Sequence, residues 1–469
     1  MEKLKLYDLI KALPSGNEKD PDPDIQRFTF KNDITTIVLD DDPTGTQTVH
    51  DVPVLTHWTH VLIEDELIKK TPVFYILTNS RSLNSAEAKK LNAELGEMIG
   101  HASGKTGRKI RVISRSDSTL RGHYPAEVNA LKKGLCLEAS ADIIIPAFYQ
   151  GGRYTIDDVH YVEEDEILFP AAETPFAKDK TFGYRSSNLK EWIAEKTDNA
   201  IRMDQIGSVS LMDIRKFDLD AILKILEDPG FKAVIVNAVT ENDLKVVALA
   251  LLMAEDHGKK FLYRTAASIV PVITGMENKP VMKEEDFDLD VHTGGLIVVG
   301  SYVPKSTAQL EFLLKNEKIR SIELNAKDIV YGNDQLKTQN SMARRISEMI
   351  ASGENVVLYT SRELITGKES QESLKINNKV AEALNYVINR ISVRPGFVIT
   401  KGGITSSDIA TECLKVSRAL VLGQILPGVP VWKLDGKWEG LTYVVFPGNV
   451  GKENSLSKVF KTLSGQKKA

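Results

Sequence analysis

Three carboxylates stand in a row at Asp40-Asp41-Asp42, followed by Pro43-Thr44-Gly45. Adjacent acids repel, so a chain that fixes them together implies basic partners, a bound cation or a substrate to be polarised. Three further clusters each combine hydroxyls, an amide or carboxylate, and arginine. The first is Thr78-Asn79-Ser80-Arg81-Ser82; the second runs from Ser114 to His123 and carries Asp117, Ser118 and Arg121; the third runs from Pro146 to Gly152 and Arg153. That inventory suits a small polyhydroxylated anion. Arginine grips a carboxylate through paired donors, while Asp, Asn and Ser hold hydroxyls.

The second half of the chain offers different chemistry. Three apolar runs enter glycine turns: Val298-Val299-Gly300-Ser301, Val398-Ile399-Thr400-Lys401-Gly402-Gly403-Ile404-Thr405, and Val444-Val445-Phe446-Pro447-Gly448-Asn449-Val450-Gly451. Glycines let backbone N–H groups approach an anion, and helix N-termini favour negative charge. One such terminus contributes about 0.3–1 kcal/mol. A nucleotide held at roughly 10 μM needs about 7 kcal/mol, so only the convergence of several turns makes a phosphate site. A P-loop lookalike, Gly100-His101-Ala102-Ser103-Gly104-Lys105-Thr106, has three residues between its glycines, where the motif needs four. It reads as the end of a helix at a basic turn.

These residues need elements to hold them. An apolar run ended by turn residues, such as Thr35–Leu39 before the acidic triplet, reads as a buried parallel strand. Further strands are expected at Val73–Leu77, Ile110–Ser114, Ile143–Pro146, Ala233–Asn237 and Lys260–Tyr263, with helices such as Ser85–Ile99 and Glu241–His257 between them. Residues 276–292 are charged and aperiodic. A second series follows at Leu296–Val299, Val356–Tyr359, Phe397–Thr400 and Thr442–Phe446, with helices at Lys305–Lys315 and Thr338–Ser352. The expected fold is therefore α/β, with two domains that are each a largely parallel sheet flanked by helices. Ligands sit at the carboxyl ends of such strands. The expected limits are 1–32 for an N-terminal extension, 33–285 for the first domain and 286–469 for the second. Leu4–Leu13 has helical spacing, and the Pro- and Asp-rich residues 14–24 read as a linker.

Bulk properties exclude several classes. The chain has 469 residues, 60 basic against 64 acidic, and a net charge of −4. That balance argues against a nucleic-acid surface. No apolar stretch is long enough for a membrane span, and the first residues lack the pattern of a signal peptide. Two cysteines, Cys136 and Cys413, lie far apart, so neither a disulfide framework nor a cysteine zinc site is expected. A reducing cytoplasm is the simplest setting. The eight histidines form no ligand pattern, and no protein-held metal site is expected. His123 stands beside the Asp117–Arg121 cluster in a role that is either structural or substrate-facing.

Asp41-Asp42-Pro43-Thr44-Gly45, Asp117-Ser118-Thr119-Leu120-Arg121-Gly122 and Gly152-Arg153 resemble the sugar-binding N-terminal domain of the four-carbon acid sugar kinase family. Residues 174–189 resemble that domain's insert. Gly300-Ser301, Gly402-Gly403-Ile404-Thr405-Ser406, Pro427-Gly428-Val429-Pro430 and Gly448-Asn449-Val450-Gly451 resemble its nucleotide-binding C-terminal domain. The resemblance spans nearly the whole chain after residue 33. It implies ATP- and Mg2+-dependent phosphorylation of a hydroxyl on a four-carbon sugar acid of the threonate, erythronate or oxo-tetronate type. The active site would lie in the cleft between the domains. On that reading Asp42 or Asp41 orients or deprotonates the attacking hydroxyl. The resemblance assigns substrate binding to Thr44, Gly45, Asn79, Arg81, Asp117, Ser118, Arg121, Gly152 and Arg153, with Arg121 and Arg153 on the carboxylate. It assigns the phosphates to Ser301, Lys401, Gly402, Gly403, Ile404, Thr405, Gly448 and Gly451. The family's last glycine motif usually follows Lys-Ser, where this chain has Phe446-Pro447; Lys401 or Lys452 would supply the charge. The oligomeric state stays open, a homodimer being one option.

Two other readings stand beside this one. Asp40-x-Asp42-x-Thr44 and Ile76-Leu77-Thr78-Asn79 also fit the first two motifs of haloacid-dehalogenase-like phosphatases, with Asp40 as nucleophile and Asp42 as general acid. A sugar-acid and nucleotide sensor without catalysis is the third.

Overall fold

Runs of Val, Ile and Leu without polar alternation become strands buried on both faces, the pattern of a sheet covered by helices. The structure, a computed structural model, describes residues 5–16, 19–42, 44–289, 292–332, 334–362 and 370–465. The chain forms two compact units, Met1–Val49 with Trp58–Asn278 and His50–His57 with Lys279–Ala469.

Among the described residues, the first unit carries seven parallel strands. Their spatial order is Val73–Leu77, Thr35–Asp40, Ile110–Arg115, Phe261–Thr265, Ala141–Ile145, Ala233–Val236 and Ile206–Val209. Register decides what meets at the carboxyl edge. Asp40 lies opposite Leu77 on one side and Arg115 on the other. The acidic triplet, the Asn79–Arg81 turn and the Ser116–Gly122 loop therefore leave the sheet at one level.

The expected strands form with ends that coincide or shift by one or two residues. The P-loop lookalike lies within a longer helix, Ser85–Thr106, which stops at left-handed Gly107. Its earlier glycine, Gly96, packs on the helix Ala126–Gly134, where a Cβ would stand 2.8 Å from Leu131 O.

Two features were not legible as elements. Residues Asp22–Asn32, of which only the first three are expected as linker and the rest are given no element, form a helix with Pro in its first turn and Ile25 buried. After Gly152 comes an antiparallel three-stranded meander, Arg153–Ile156, Val159–Glu164 and Ile167–Pro170. The first helix, Leu6–Ala12, leads to Leu9 and Leu13, which pack with Tyr154, Ile156 and Leu168 of this meander.

In the second unit the order is Arg320–Leu324, Val356–Thr360, Leu296–Val299, Phe397–Lys401 and Thr442–Phe446, all parallel. Three antiparallel strands continue it: Val429–Leu434, Arg418–Leu426 and Val52–Leu55. Pro427-Gly428, noted in sequence only as a family motif, is the turn of a hairpin. Val299 lies opposite Lys401, and Lys401 opposite Phe446, so the three glycine turns begin in line. Ile297, Ile399 and Phe446 fill the core beneath them with Leu310 and Phe460. No helix among the described residues is long and apolar enough to cross a membrane.

Candidate active site

The acidic triplet of the first unit is held by arginines. Arg81 Nη2 lies 3.0 Å from both Asp41 Oδ1 and Asp42 Oδ2, and Arg81 Nη1 lies 3.5 Å from Asp117 Oδ1. Arg115 Nη1 donates to Asp40 Oδ1 at 3.0 Å, and Ser116 Oγ donates to Asp41 Oδ2 at 2.6 Å. Arg115 and Ser116 follow from register, which the sequence does not display.

The three acids are not equivalent. Asp40 and Asp41 are buried, whereas the Asp42 side chain keeps 28% of its surface. Burial pushes the Asp40 carboxyl up to about 7 in spite of Arg115, and Asp41 and Asp42 add to the rise. Burial also raises Asp41, against Arg81 and Arg264. At Asp42 burial acts in the same sense, but Arg81 and the amide and hydroxyl of Thr44 outweigh it. Its carboxyl is held below the ordinary range and is ionised at neutral pH.

Asp40 faces inward. A Cβ on Gly45 would overlap its carboxylate, so only glycine fits that approach. With Arg115 on Asp40 Oδ1 and the Gly45 backbone against the carboxylate, no open face remains to attack a phosphoryl group. This geometry removes the motivation for a phosphatase with Asp40 as nucleophile.

Around the triplet, Arg121 Nε donates to Asp117 Oδ2 at 2.7 Å, and Thr119 also donates to that carboxylate. Burial would raise the Asp117 carboxyl, but Arg81 and Arg121 outweigh it and hold it at about 2. The Arg121 and Arg153 guanidinium groups lie 5.0 and 5.9 Å from the Phe176 ring centre, so the two expected carboxylate clamps converge on one aromatic. Arg121 also faces Asp179 at 3.7 Å. The Asn79 amide and the Ser118 hydroxyl make no hydrogen bond among the described residues. Gly152 takes a positive φ just before the meander.

Two groups from the 153–189 region fix the Asp117–Arg121 loop. His160, kept neutral by burial that pushes it to about 4, donates from Nε2 to Ser118 O at 2.7 Å and accepts from Thr155 Oγ1 at 3.0 Å. Tyr184 OH donates to Thr119 O at 2.8 Å. His123 is buried, with Nε2 3.0 Å from Leu83 O and its ring edge-on to Phe182, which gives it a structural place.

In the second unit the three glycine turns meet. Gly402 N donates to Phe446 O at 2.9 Å, and Ser301 N donates to Lys401 O at 3.3 Å. Ser306 Oγ lies 3.1 Å from both Ser301 Oγ and Gly448 O. Gly402 has φ +123, a conformation open to glycine, with Ser301 and Thr405 crowding the place of a Cβ. Gly403 opens the short helix Gly403–Asp408, Ile404 stands exposed beside it, and Gly451 ends the third turn with φ +85.

Three cations serve these turns. Lys305 Nζ donates to Asn449 O at 3.2 Å, Arg362 Nη1 to Ser301 O at 2.7 Å, and Lys401 Nζ to Pro447 O at 2.6 Å. Among the described residues none of the three forms an ion pair with a carboxylate. Lys401, expected among the phosphate-facing groups, is fully buried with its ammonium 3.9 Å from the Phe446 ring centre. Burial, with Lys305 adding to it, lowers Lys401 to about 7. Arg362 and Lys305 escaped the sequence reading. The only signal for Arg362 is its place just past an apolar strand. A cationic cradle with glycine backbones fits a polyphosphate.

Comparison with known proteins agrees with this division of chemistry. The sugar-binding N-terminal domain family matches residues 36–273, and the nucleotide-binding C-terminal domain family matches residues 296–456. A D-threonate kinase of Salmonella typhimurium is 23% identical over 360 residues, covering 74% of this chain and 78% of its own. A solved Salmonella typhimurium LT2 protein bearing the provisional name of a tRNA synthase superposes with a TM-score of 0.69 at 14% identity, over 90% of this chain and 98% of its own. A Haemophilus influenzae protein gives 0.60 at 18%, over 92% and 99%. At those identities the structural likeness speaks for the fold. With both domain families matched in order along most of its length, the chain belongs to the four-carbon acid sugar kinase family.

Proposed function

We propose that this protein is an ATP-dependent kinase that phosphorylates a hydroxyl of a four-carbon sugar acid, of the threonate, erythronate or oxo-tetronate type. The observation that carries the reading is the cradle of Lys305, Arg362 and Lys401, three basic groups turned to main-chain oxygens of converging glycine turns and, among the described residues, in no ion pair with a carboxylate. The 23% identity to a D-threonate kinase supports the substrate class.

On this reading the region from 33 to 285 holds the sugar acid and the region from 286 to 469 the nucleotide. Arg121 and Arg153 bind the carboxylate of the acid, and the Asn79 amide and Ser118 hydroxyl take its hydroxyls. Asp42, ionised and part-exposed, accepts a hydrogen bond from the attacking hydroxyl and fixes its direction. A carboxylate of low basicity is a weak proton acceptor early in the reaction. Its contribution is orientation, with the proton taken late, as suits phosphoryl transfer. Arg81 holds Asp42 in place from below. Ser301, Gly402 to Thr405, Gly448 and Gly451 surround the phosphates. Mg2+, which keeps much of its water in such sites, supplies charge neutralisation on the phosphates.

A coupled ADP-release assay over a panel of four-carbon acids, run beside phosphate release from phospho-sugars, tests the reading. ADP release on at least one acid is expected. Phosphate release alone would favour a hydrolase, and nucleotide binding without either turnover would favour a sensor.

Lys401 gives this proposal a pH signature. Its ammonium is charged below about 7 and neutral above, and phosphate is attracted only to the charged form. Nucleotide affinity is therefore expected to fall by about tenfold as pH rises through one to two units above neutrality. In Lys401→Met the affinity is expected to be low at both ends and nearly flat. Titration of a fluorescent nucleotide at the two pH values reads both.

A further inference from the structure

Arg264 and Glu127 belong to no motif in the sequence and touch no residue assigned above to a ligand. Arg264 lies on the strand Phe261–Thr265, and Glu127 in the first turn of the helix Ala126–Gly134. Both are buried, and Arg264 Nη1 sits 3.0 Å from Glu127 Oε2. A buried ion pair loses hydration on both partners and is tolerated only with further hydrogen bonds in place. Here they are present. Arg264 Nη1 also donates to Ser114 Oγ at 2.9 Å. Glu127 accepts from the Ser80 hydroxyl and, at 3.5 Å, from Asn92 Nδ2. The pair thus joins the Asn79–Arg81 turn to the strand that leads into the Ser116–Gly122 loop.

The second nitrogen of the guanidinium points elsewhere. A Cβ on Gly122 would stand 2.5 Å from Arg264 Nη2 and 3.4 Å from Asp41 Oδ2, which puts guanidinium and carboxylate within about 6 Å of one another. Gly122, at φ +126, adds no side chain there, and the Ser116 hydroxyl, which donates to Asp41 Oδ2 at 2.6 Å, borders the same space.

We propose that Arg264 is a positioning residue for Asp41: its guanidinium, moderated by Glu127, favours the carboxylate form of Asp41, and that carboxylate keeps Arg81 bridged to Asp42. The kinetic part of this proposal rests on the kinase reading; the electrostatic part does not. Six charged groups face Asp41, namely Arg81, Arg115, Arg264, Glu127, Asp40 and Asp42. Burial drives the Asp41 carboxyl up, Arg81 and Arg264 drive it down, and Glu127 drives it up again.

The two members of the pair must therefore act in opposite directions. Glu127→Gln removes a negative charge and is expected to lower the Asp41 titration midpoint by about one unit. The double variant Glu127→Gln/Arg264→Gln, which leaves no unpaired buried charge to threaten folding, is expected to raise it by about one unit relative to Glu127→Gln. The midpoint is read by NMR on the full chain with 13Cγ-labelled aspartate, the Asp41 resonance being the one lost in Asp41→Asn. The acid limb of the kcat–pH profile should move in the same two directions. A pair that only braces the fold would lower activity without moving either midpoint, and identical midpoints in both variants overturn the proposal. Absence of kinase turnover in the wild type would defeat the kinase reading while the carboxyl titration still decided this one.

Discussion

Asp42→Asn is expected to lower turnover on the sugar acid by about 10³-fold, within the range for a lost acid–base or orienting group, while nucleotide affinity stays near that of the wild type. Asp42 is the one member of the triplet with a substantially exposed carboxylate. Its oxygens have defined partners below, Arg81 at 3.0 Å and Thr44 N at 2.8 Å. An amide of the same size keeps the Thr44 contacts on its oxygen, but it presents an N–H to either Arg81 or the substrate hydroxyl. Neither partner can use it: Arg81 is a donor, and the hydroxyl must donate to be activated. On the kinase reading the nucleotide lies in the cradle of the second unit, which contains no atom of Asp42, so its affinity is expected to be untouched. Steady-state kinetics together with nucleotide titration separate the two quantities. Near-normal turnover in Asp42→Asn would move the assignment to another group.

The second large effect concerns stability. Arg115→Met is expected to destabilise the protein by about 3–5 kcal/mol, the usual loss when one partner of a buried ion pair is removed. Asp40 would keep its buried carboxylate and lose its arginine at 3.0 Å. The deficit should depend on pH with a definite sign. Asp40 already titrates near 7 in the folded protein, above its unfolded value. Its favourable contribution is therefore present below the unfolded pKa and is lost as pH rises through about 7. Removing Arg115 raises the folded value further, so the loss extends to higher pH and the deficit is larger at alkaline than at mildly acidic pH. Urea midpoints at the two pH values measure it. Asp40→Asn/Arg115→Met should recover most of the stability, because neither charge of this pair is then left buried without its partner. A deficit equal at both pH values would show that Arg115 matters for packing alone.

What the sequence made legible was local. Uninterrupted Val-Ile-Leu runs ended by turn residues located the central strands of both units, and glycine turns after such runs located the cradle. What it concealed depended on distance along the chain. Arg115 becomes the partner of Asp40 only through strand register, and no local pattern encodes that pairing. Lys401 reads as a turn lysine next to glycine, yet its place opposite Phe446 buries it over that ring. The start of the helix Asp22–Asn32 was hidden by Pro21 before it and Pro23 within it, which read as breakers although proline is well tolerated in a first turn. Arg362 and Arg264 are solitary arginines at or just past strand ends, and only the folded chain shows what each one grips.

That early helix carries a practical lesson. It precedes residue 36, where the sugar-binding match begins. Ile25 is nevertheless 1% exposed and lines a shared surface with Pro271, Val272 and Gly275, while Asp22 and Lys31 are tied to Lys245 and Asp256. A recombinant chain trimmed to the edges of the family match would shed that lining and lay bare an oily seam. The portion that packs together is larger than the portion that bears the signature, and cloning limits belong ahead of Pro21.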